Sequence, residues 1–128
     1  MRLAYAIIAA LCLVLAATNA RAAERHVYDG RLFATARAEG KSILVHVTAP
    51  WCGVCRAQKP VVADLARRAD FADLVIFDLD FDTQKVALGE LRVLKQSTLI
   101  AFKGMEETGR AVGITKFETI EALIRKAL

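Results

Sequence analysis

A seven-residue apolar run rich in β-branched side chains, Ser42-Ile-Leu-Val-His-Val-Thr48, is followed three residues later by Cys52-Gly53-Val54-Cys55. A helical pattern with one internal proline, Pro60, then runs from Arg56 to Ala69. No other stretch constrains the fold as much. A strand that is apolar throughout must be covered on both faces, so helices are needed above and below the sheet it joins. Two cysteines two residues apart at a strand-to-helix junction can close and open a small disulfide. The pattern points to working sulfur chemistry rather than to a structural staple.

The N-terminus bears on where that chemistry operates. Arg2 precedes an uncharged apolar run, Leu3 to Ala17, and Ala20-Arg21-Ala22 is an A-x-A cleavage pattern. A positive start, a short apolar middle and small residues at the cut make a secretory signal over residues 1–22. The run is 15 residues, against roughly 18 or more for a spanning helix; an uncleaved N-terminal anchor is the competing reading. Cleavage leaves residues 23–128 as one domain of 106 residues, enough for a single core without added staples. The leader takes Cys12 and two arginines with it, so the 18 basic residues become 16, against 14 acidic ones. A balance that small, with the basic residues scattered, offers no footprint for nucleic acid or an anionic membrane. The membrane is met only through the leader, if it is retained. One close cysteine pair in an exported chain is not the pattern of a disulfide-stapled scaffold.

The remaining elements follow from periodicity. Asp29 to Glu39 reads as a first helix, with Leu32, Phe33, Ala36 and Ala38 at helical spacing and Gly40 as its stop. Val61, Val62, Leu65 and Ala66 mark the inner stripe of the helix after Cys55, which Pro60 should bend because it lacks an N–H. Leu74 to Leu79 is a second buried strand, and Asp82 is placed to cap a short helix through Leu91. Thr98 to Phe102 is a third strand, Lys103 to Glu107 a turn, and Thr108 to Val112 a fourth strand. Thr115 and Glu118 form a capping box ahead of a last helix with Phe117, Ile120, Leu123, Ile124 and Leu128 on one side. A short edge strand near His26 to Tyr28 completes the set. The order predicts an α/β fold: a three-layer α/β/α sandwich with a mixed central sheet, its parallel strands joined by crossover helices and its end closed by a hairpin.

With Trp51-Cys52-Gly53-Val54-Cys55 in place, the chain resembles the thioredoxin family over the whole of residues 23–128. The likeness rests on the W-C-G-x-C site, on Pro60 where the family bends its active-site helix, and on Leu79 to Asp82 at the following strand end. Ser97-Thr98-Leu99 stands where the family has cis-Pro-Thr-Leu, and Phe102-Lys103 and Gly113 also match, with no gap from Cys52 to Gly113. The resemblance implies that Cys52 attacks a client disulfide and that the more buried Cys55 resolves the mixed disulfide. The helix start favours a Cys52 thiolate. The dithiol/disulfide pair itself is then the redox group, with no other cofactor. Trp51, Gly53, Val54, Gln96, Ser97 and Thr98 would form the client-binding rim. Trp51 is equally readable as a shield over the disulfide.

Other readings of the cysteine pair fare less well. A zinc site needs about four ligands, and the mature chain offers two cysteines, His26 and His46, the histidines far apart in sequence. No metal is therefore expected at the pair. A c-type haem attachment needs a histidine after the second cysteine, where Arg56 stands. A permanently closed, inert disulfide stays open as an alternative.

Three departures from the family pattern alter the chemistry expected. His46 occupies the position of a buried aspartate that helps move the proton of the second cysteine, and Asp78 occupies that of its lysine partner. The expectation is that His46, oriented by Asp78, serves as the base that deprotonates Cys55, since imidazole titrates near pH 6.5. A histidine satisfied by a neighbour within the core is the plainer alternative. Ser97 replaces the cis-proline. A cis bond before a non-proline residue costs about 2.5–4 kcal/mol, so Gln96–Ser97 is expected to be trans. The Gln96 backbone is left to pair with a client, and the Ser97 hydroxyl can hydrogen-bond the Cys52 thiolate, which a proline cannot. Proline is also held to keep metal from the cysteines, so an adventitious iron–sulfur or metal-bridged dimer stays open.

The resemblance thus implies an exported, periplasmic thiol–disulfide oxidoreductase acting mainly as a reductant. Disulfide-containing exported proteins would be its clients, and a membrane protein would deliver its electrons. The competing functions are an oxidant or isomerase and a non-catalytic binding module on the same fold. No segment is spare for dimerisation, so a monomer is expected.

Overall fold

The computed structural model describes residues 21–128. The apolar run and most of the 1–22 leader lie outside them. Five strands and four helices follow in the order β1 (Glu24–Val27), α1 (Gly30–Ala38), β2 (Ser42–Thr48), α2 (Gly53–Ala66), β3 (Leu74–Asp80), α3 (Lys85–Glu90), β4 (Thr98–Lys103), β5 (Glu106–Val112) and α4 (Phe117–Arg125). A single 3-10 turn, Ala69–Phe71, separates α2 from β3. The strands form one mixed sheet in the order β1-β3-β2-β4-β5. β1 and β2 flank β3 in parallel, while β4 runs antiparallel to both β2 and β5.

The apolar run places β2 at the centre of this sheet. Successive side chains of a strand point to opposite faces, and both sets are buried here. Ile43, Val45 and Val47 pack with Phe33, Ala36, Phe77 and Leu88 on the α1/α3 side. Leu44 packs with Val62, Leu65, Ile76, Ile120 and Ile124 on the α2/α4 side. His46 shares the parity of Leu44, so it is turned toward the layer of α2. It is the one ionisable residue of β2, and it is completely buried.

Several boundaries differ from expectation for local reasons. The active-site helix starts at Gly53, not Arg56, and ends at Ala66, because Cys52 itself serves as its N-cap. It continues unbroken through Pro60. The edge strand begins at Glu24, two residues before the expected His26, and stops before Tyr28, which turns into the core. Asp82 does not cap α3; Gln84 stands at the cap position and makes no side-chain cap bond. The carboxylate of Asp82 accepts from Trp51 Nε1 instead, at 3.0 and 3.1 Å. The Thr115–Glu118 capping box is likewise absent: α4 starts one residue later, with Lys116 at the cap and no side-chain cap bond. Leu128 is exposed and Ala127 takes the inward position, because α4 ends at Arg125 and the last residues leave its register. In α1 the apolar spacing overcounted: Phe33 and Ala36 are buried, while Leu32 and Ala38 face solvent.

Candidate active site

The site is built at the end of β2, where four residues, Ala49 to Cys52, cross from the sheet to the first turn of α2. Cys52 takes an extended conformation as N-cap, and its Sγ accepts the backbone N–H of Cys55 at 3.1 Å. The first turn of a helix has N–H groups without helical partners, so a sulfur placed there sits at the positive end of the helix dipole. Cys52 and Cys55 are joined as a disulfide, their Cα atoms 5.3 Å apart. Ala49 and the ring of Phe81 pack against the pair. The expected contrast between an exposed Cys52 and a buried Cys55 is slight in this oxidised state, at 2 % and 0 % exposure. The inward turn of Cys52 Sγ, needed both to cap the helix and to reach Cys55, is what covers it. Trp51, Gly53 and Val54 stand around it on the surface.

The loop facing the disulfide is held differently from a proline-containing one. There is no cis peptide bond among the described residues, and Ser97 is a trans residue with φ of 59°. A left-handed residue at this point turns the chain without proline, at a cost of roughly 1–2 kcal/mol for a residue with a Cβ. The Ser97 N–H donates to Val47 O at 2.9 Å, and Ser97 O accepts from the Gly113 N–H at 3.0 Å. Gly113 itself sits at φ of 75°, a conformation open to glycine. Ser97 is buried; the bond expected of its hydroxyl is to a Cys52 thiolate, and the pair here is closed as a disulfide. Thr98 is also buried, and its hydroxyl closes the turn on Lys95 O at 2.7 Å, so the client-facing role expected of it does not fit. Gln96 is half-buried, and its backbone N–H and C=O have no partner among the described residues.

Behind the disulfide, the sequence reading missed the side chain that organises the site. Gln58 is fully buried on the inner stripe of α2, with Cys55, Val62 and Leu65. Its Nε2 donates to Ser97 O at 3.1 Å and to Ile114 O at 2.9 Å, and its Oε1 lies 3.0 Å from His46 Nε2. The signal was present in the spacing: position 58 is one turn beyond Cys55 on an apolar face, where a polar side chain is unusual and informative.

Gln58, not Asp78, therefore orients His46. Asp78 Oδ1 is 3.9 Å from His46 Nδ1, too far for a hydrogen bond. Both oxygens of Asp78 are taken by the guanidinium of Arg25, at 2.6 and 2.8 Å. The expectation that Asp78 aims the imidazole is corrected on that ground: a forked, charge-assisted pair with Arg25 outcompetes it. Burial pushes the His46 pKa down, while the Gln58 hydrogen bond and the Asp78 charge act upward and the charges of Arg25 and Lys59 downward. The net direction is downward, so the ring is held neutral near pH 7, as a proton acceptor must be. Among the described residues, no group of three or more His, Cys, Asp and Glu is placed to hold a metal ion.

Comparison with known proteins agrees with this geometry. The family profile described as "Thioredoxin" matches residues 24–126. A thioredoxin H-type from Fagopyrum esculentum is 33% identical over 91 residues, covering 71% of this chain and 77% of that protein. Thioredoxin H2-2 from Oryza sativa is 37% identical over 78 residues, covering 61% of this chain and 57% of that protein. Among solved structures, Trxlp from Edwardsiella tarda is 37% identical with a TM-score of 0.76, covering 78% of this chain and 98% of that one. The thioredoxin of Malassezia sympodialis, at 19% identity and a TM-score of 0.74 over 84% of this chain and 94% of that one, shares the fold.

Proposed function

The chain belongs to the thioredoxin family, and from that premise we propose that it is an exported thiol–disulfide oxidoreductase working mainly as a reductant. One observation carries the reading: a disulfide whose first sulfur caps the active-site helix and whose second lies one turn behind it. In the reduced form the Cys52 thiolate attacks a client disulfide. The client S–S bond breaks, a Cys52–client bond forms, and one client sulfur leaves with the electron pair. The Cys55 S–H then gives its proton to His46, and the Cys55 sulfur attacks Cys52 Sγ. That step releases the second client sulfur and closes Cys52–Cys55. The client is reduced by two electrons and the protein is oxidised by two. A backbone segment at Gln96 without internal partners lies ready to pair with an extended client. Trp51 and Val54 offer it apolar contact.

The leader pattern supports export, to the periplasm or an equivalent oxidising space, and an exported reductant must be recharged by a membrane protein that delivers electrons. Exported proteins with transient or mis-set disulfides, cytochrome c precursors awaiting haem among them, suit such a reductant as clients. Insulin disulfide reduction, present in the unaltered protein and abolished by Cys52→Ser, tests the activity. A Cys55→Ser protein expressed in its own host should hold clients covalently on Cys52. A reduction potential near −270 mV supports the reductant, and one near −120 mV assigns the oxidant role instead. Absence of turnover in the unaltered protein would leave a binding module and refute the proposal.

A further inference from the structure

Gln58 has three polar contacts, and their chemistry leaves little freedom. Its amide nitrogen carries two hydrogens, and both meet backbone carbonyls, Ser97 O at 3.1 Å and Ile114 O at 2.9 Å. Carbonyls only accept, so the reversed amide would set oxygen against oxygen twice. The oxygen end is therefore the end that faces His46 Nε2, at 3.0 Å. An amide oxygen also only accepts, so Nε2 must donate. A neutral imidazole has a single N–H; it lies on Nε2, and Nδ1 keeps a bare lone pair. That nitrogen is buried and has no hydrogen-bond partner. Most buried polar atoms are paired, so an orphaned acceptor on a fully buried ring calls for a role.

We propose that Gln58 is a positioning residue that holds His46 in its Nε2–H tautomer, so that Nδ1 is the atom at which His46 receives the proton released by Cys55. This rests on the base role of His46 given above and adds to it which atom acts and what decides it. The arrangement serves both protonation states without rearrangement. In the neutral ring Nε2–H bonds Gln58 Oε1. In the charged ring that bond persists, and the new Nδ1–H faces Asp78 Oδ1, 3.9 Å away. The charged groups bearing on the ring are Asp78 from β3, Arg25 from β1 and Lys59 from α2. The other strand neighbour, β4, places uncharged Leu99 opposite His46. The same amide also binds α2 to the Ser97 loop and to the segment after β5, so the position of the imidazole is tied to the loop that faces the disulfide.

The tautomer can be read directly from long-range 1H–15N correlations of the His46 ring in the full-length protein, oxidised and reduced. The unaltered protein should show Nε2 protonated and Nδ1 at the shift of a free imine nitrogen above the titration midpoint. Gln58→Met, similar in size but without an amide, should give a mixture of tautomers. It should slow release of the mixed disulfide about tenfold at pH 7 and move the pH midpoint of that step. An Nδ1–H tautomer in the unaltered protein overturns the proposal, whether or not Gln58→Met folds. So does a folded Gln58→Met protein with unchanged tautomer and pH profile. Unchanged resolution in His46→Ala from pH 6 to 8 would overturn the base reading itself. That failure is told apart because the ring spectrum does not depend on turnover.

Discussion

The backbone N–H of Ser97 donates to the carbonyl of Val47 at 2.9 Å, tying the loop that faces the disulfide to the end of the central strand. Proline at 97 would remove this donor and demand φ near −65° where the chain has 59°. Ser97→Pro should therefore cost on the order of 2–4 kcal/mol in chemical denaturation, from an unpaired buried carbonyl and an incompatible backbone. Ser97→Gly suits the left-handed conformation and should stay within about 1 kcal/mol of the unaltered protein. Equal stability for the proline variant would contradict the pairing.

Trp51 is the only tryptophan in the chain, and its Nε1–H is shared between the two oxygens of Asp82. The pair is solvent-exposed, so Asp82→Ala should change stability by less than about 1 kcal/mol. It should nevertheless free the indole, lowering the steady-state fluorescence anisotropy of Trp51. An unchanged anisotropy would mean that the carboxylate does not hold the ring.

The surface pair of Arg25 and Asp78 should tune the buried imidazole in opposite directions. The Arg25 charge disfavours protonated His46 and the Asp78 charge favours it. Arg25→Gln should raise the His46 pKa and Asp78→Asn should lower it, both read by titrating the ring resonances. Shifts of the same sign in the two variants would show that the charges act through some other change.

Burial of His46 also predicts how stability varies with acid. The folded-state pKa lies below the unfolded value of about 6.5. Between these two values the unfolded chain binds more protons than the native one, so stability falls as pH drops through that window. A full proton of difference corresponds to about 1.4 kcal/mol per pH unit. The oxidised His46→Leu protein should lack this share of the acid sensitivity as the pH falls below about 6.5 in paired denaturation curves. Parallel pH dependence in the two proteins would show that His46 is protonated equally in both states.

Much of this architecture was legible in the chain because each signal was local. The run from Ser42 to Thr48 announced a strand buried on both faces, and it is the centre of the sheet. The C-x-x-C spacing at a strand-to-helix junction announced a closable pair, and it is closed. Capping was misjudged at Asp82 and at Thr115, because a capping residue is defined by where its backbone turns. Asp82 had a competing donor in Trp51, 31 positions away.

Sequence alone settled which residues can exchange electrons, since two thiols so spaced at such a junction need only the local backbone to meet. It could not settle which atoms steer the proton. His46, Gln58, Ser97 and Ile114 are scattered over nearly 70 positions and share one hydrogen-bonded cluster only because the sheet and α2 bring them together. Asp78 aligns with His46 in register yet is drawn away by Arg25 from the neighbouring strand. A hydrogen bond forms or fails within a fraction of an ångström, a distance set by packing in three dimensions and by no spacing along the chain.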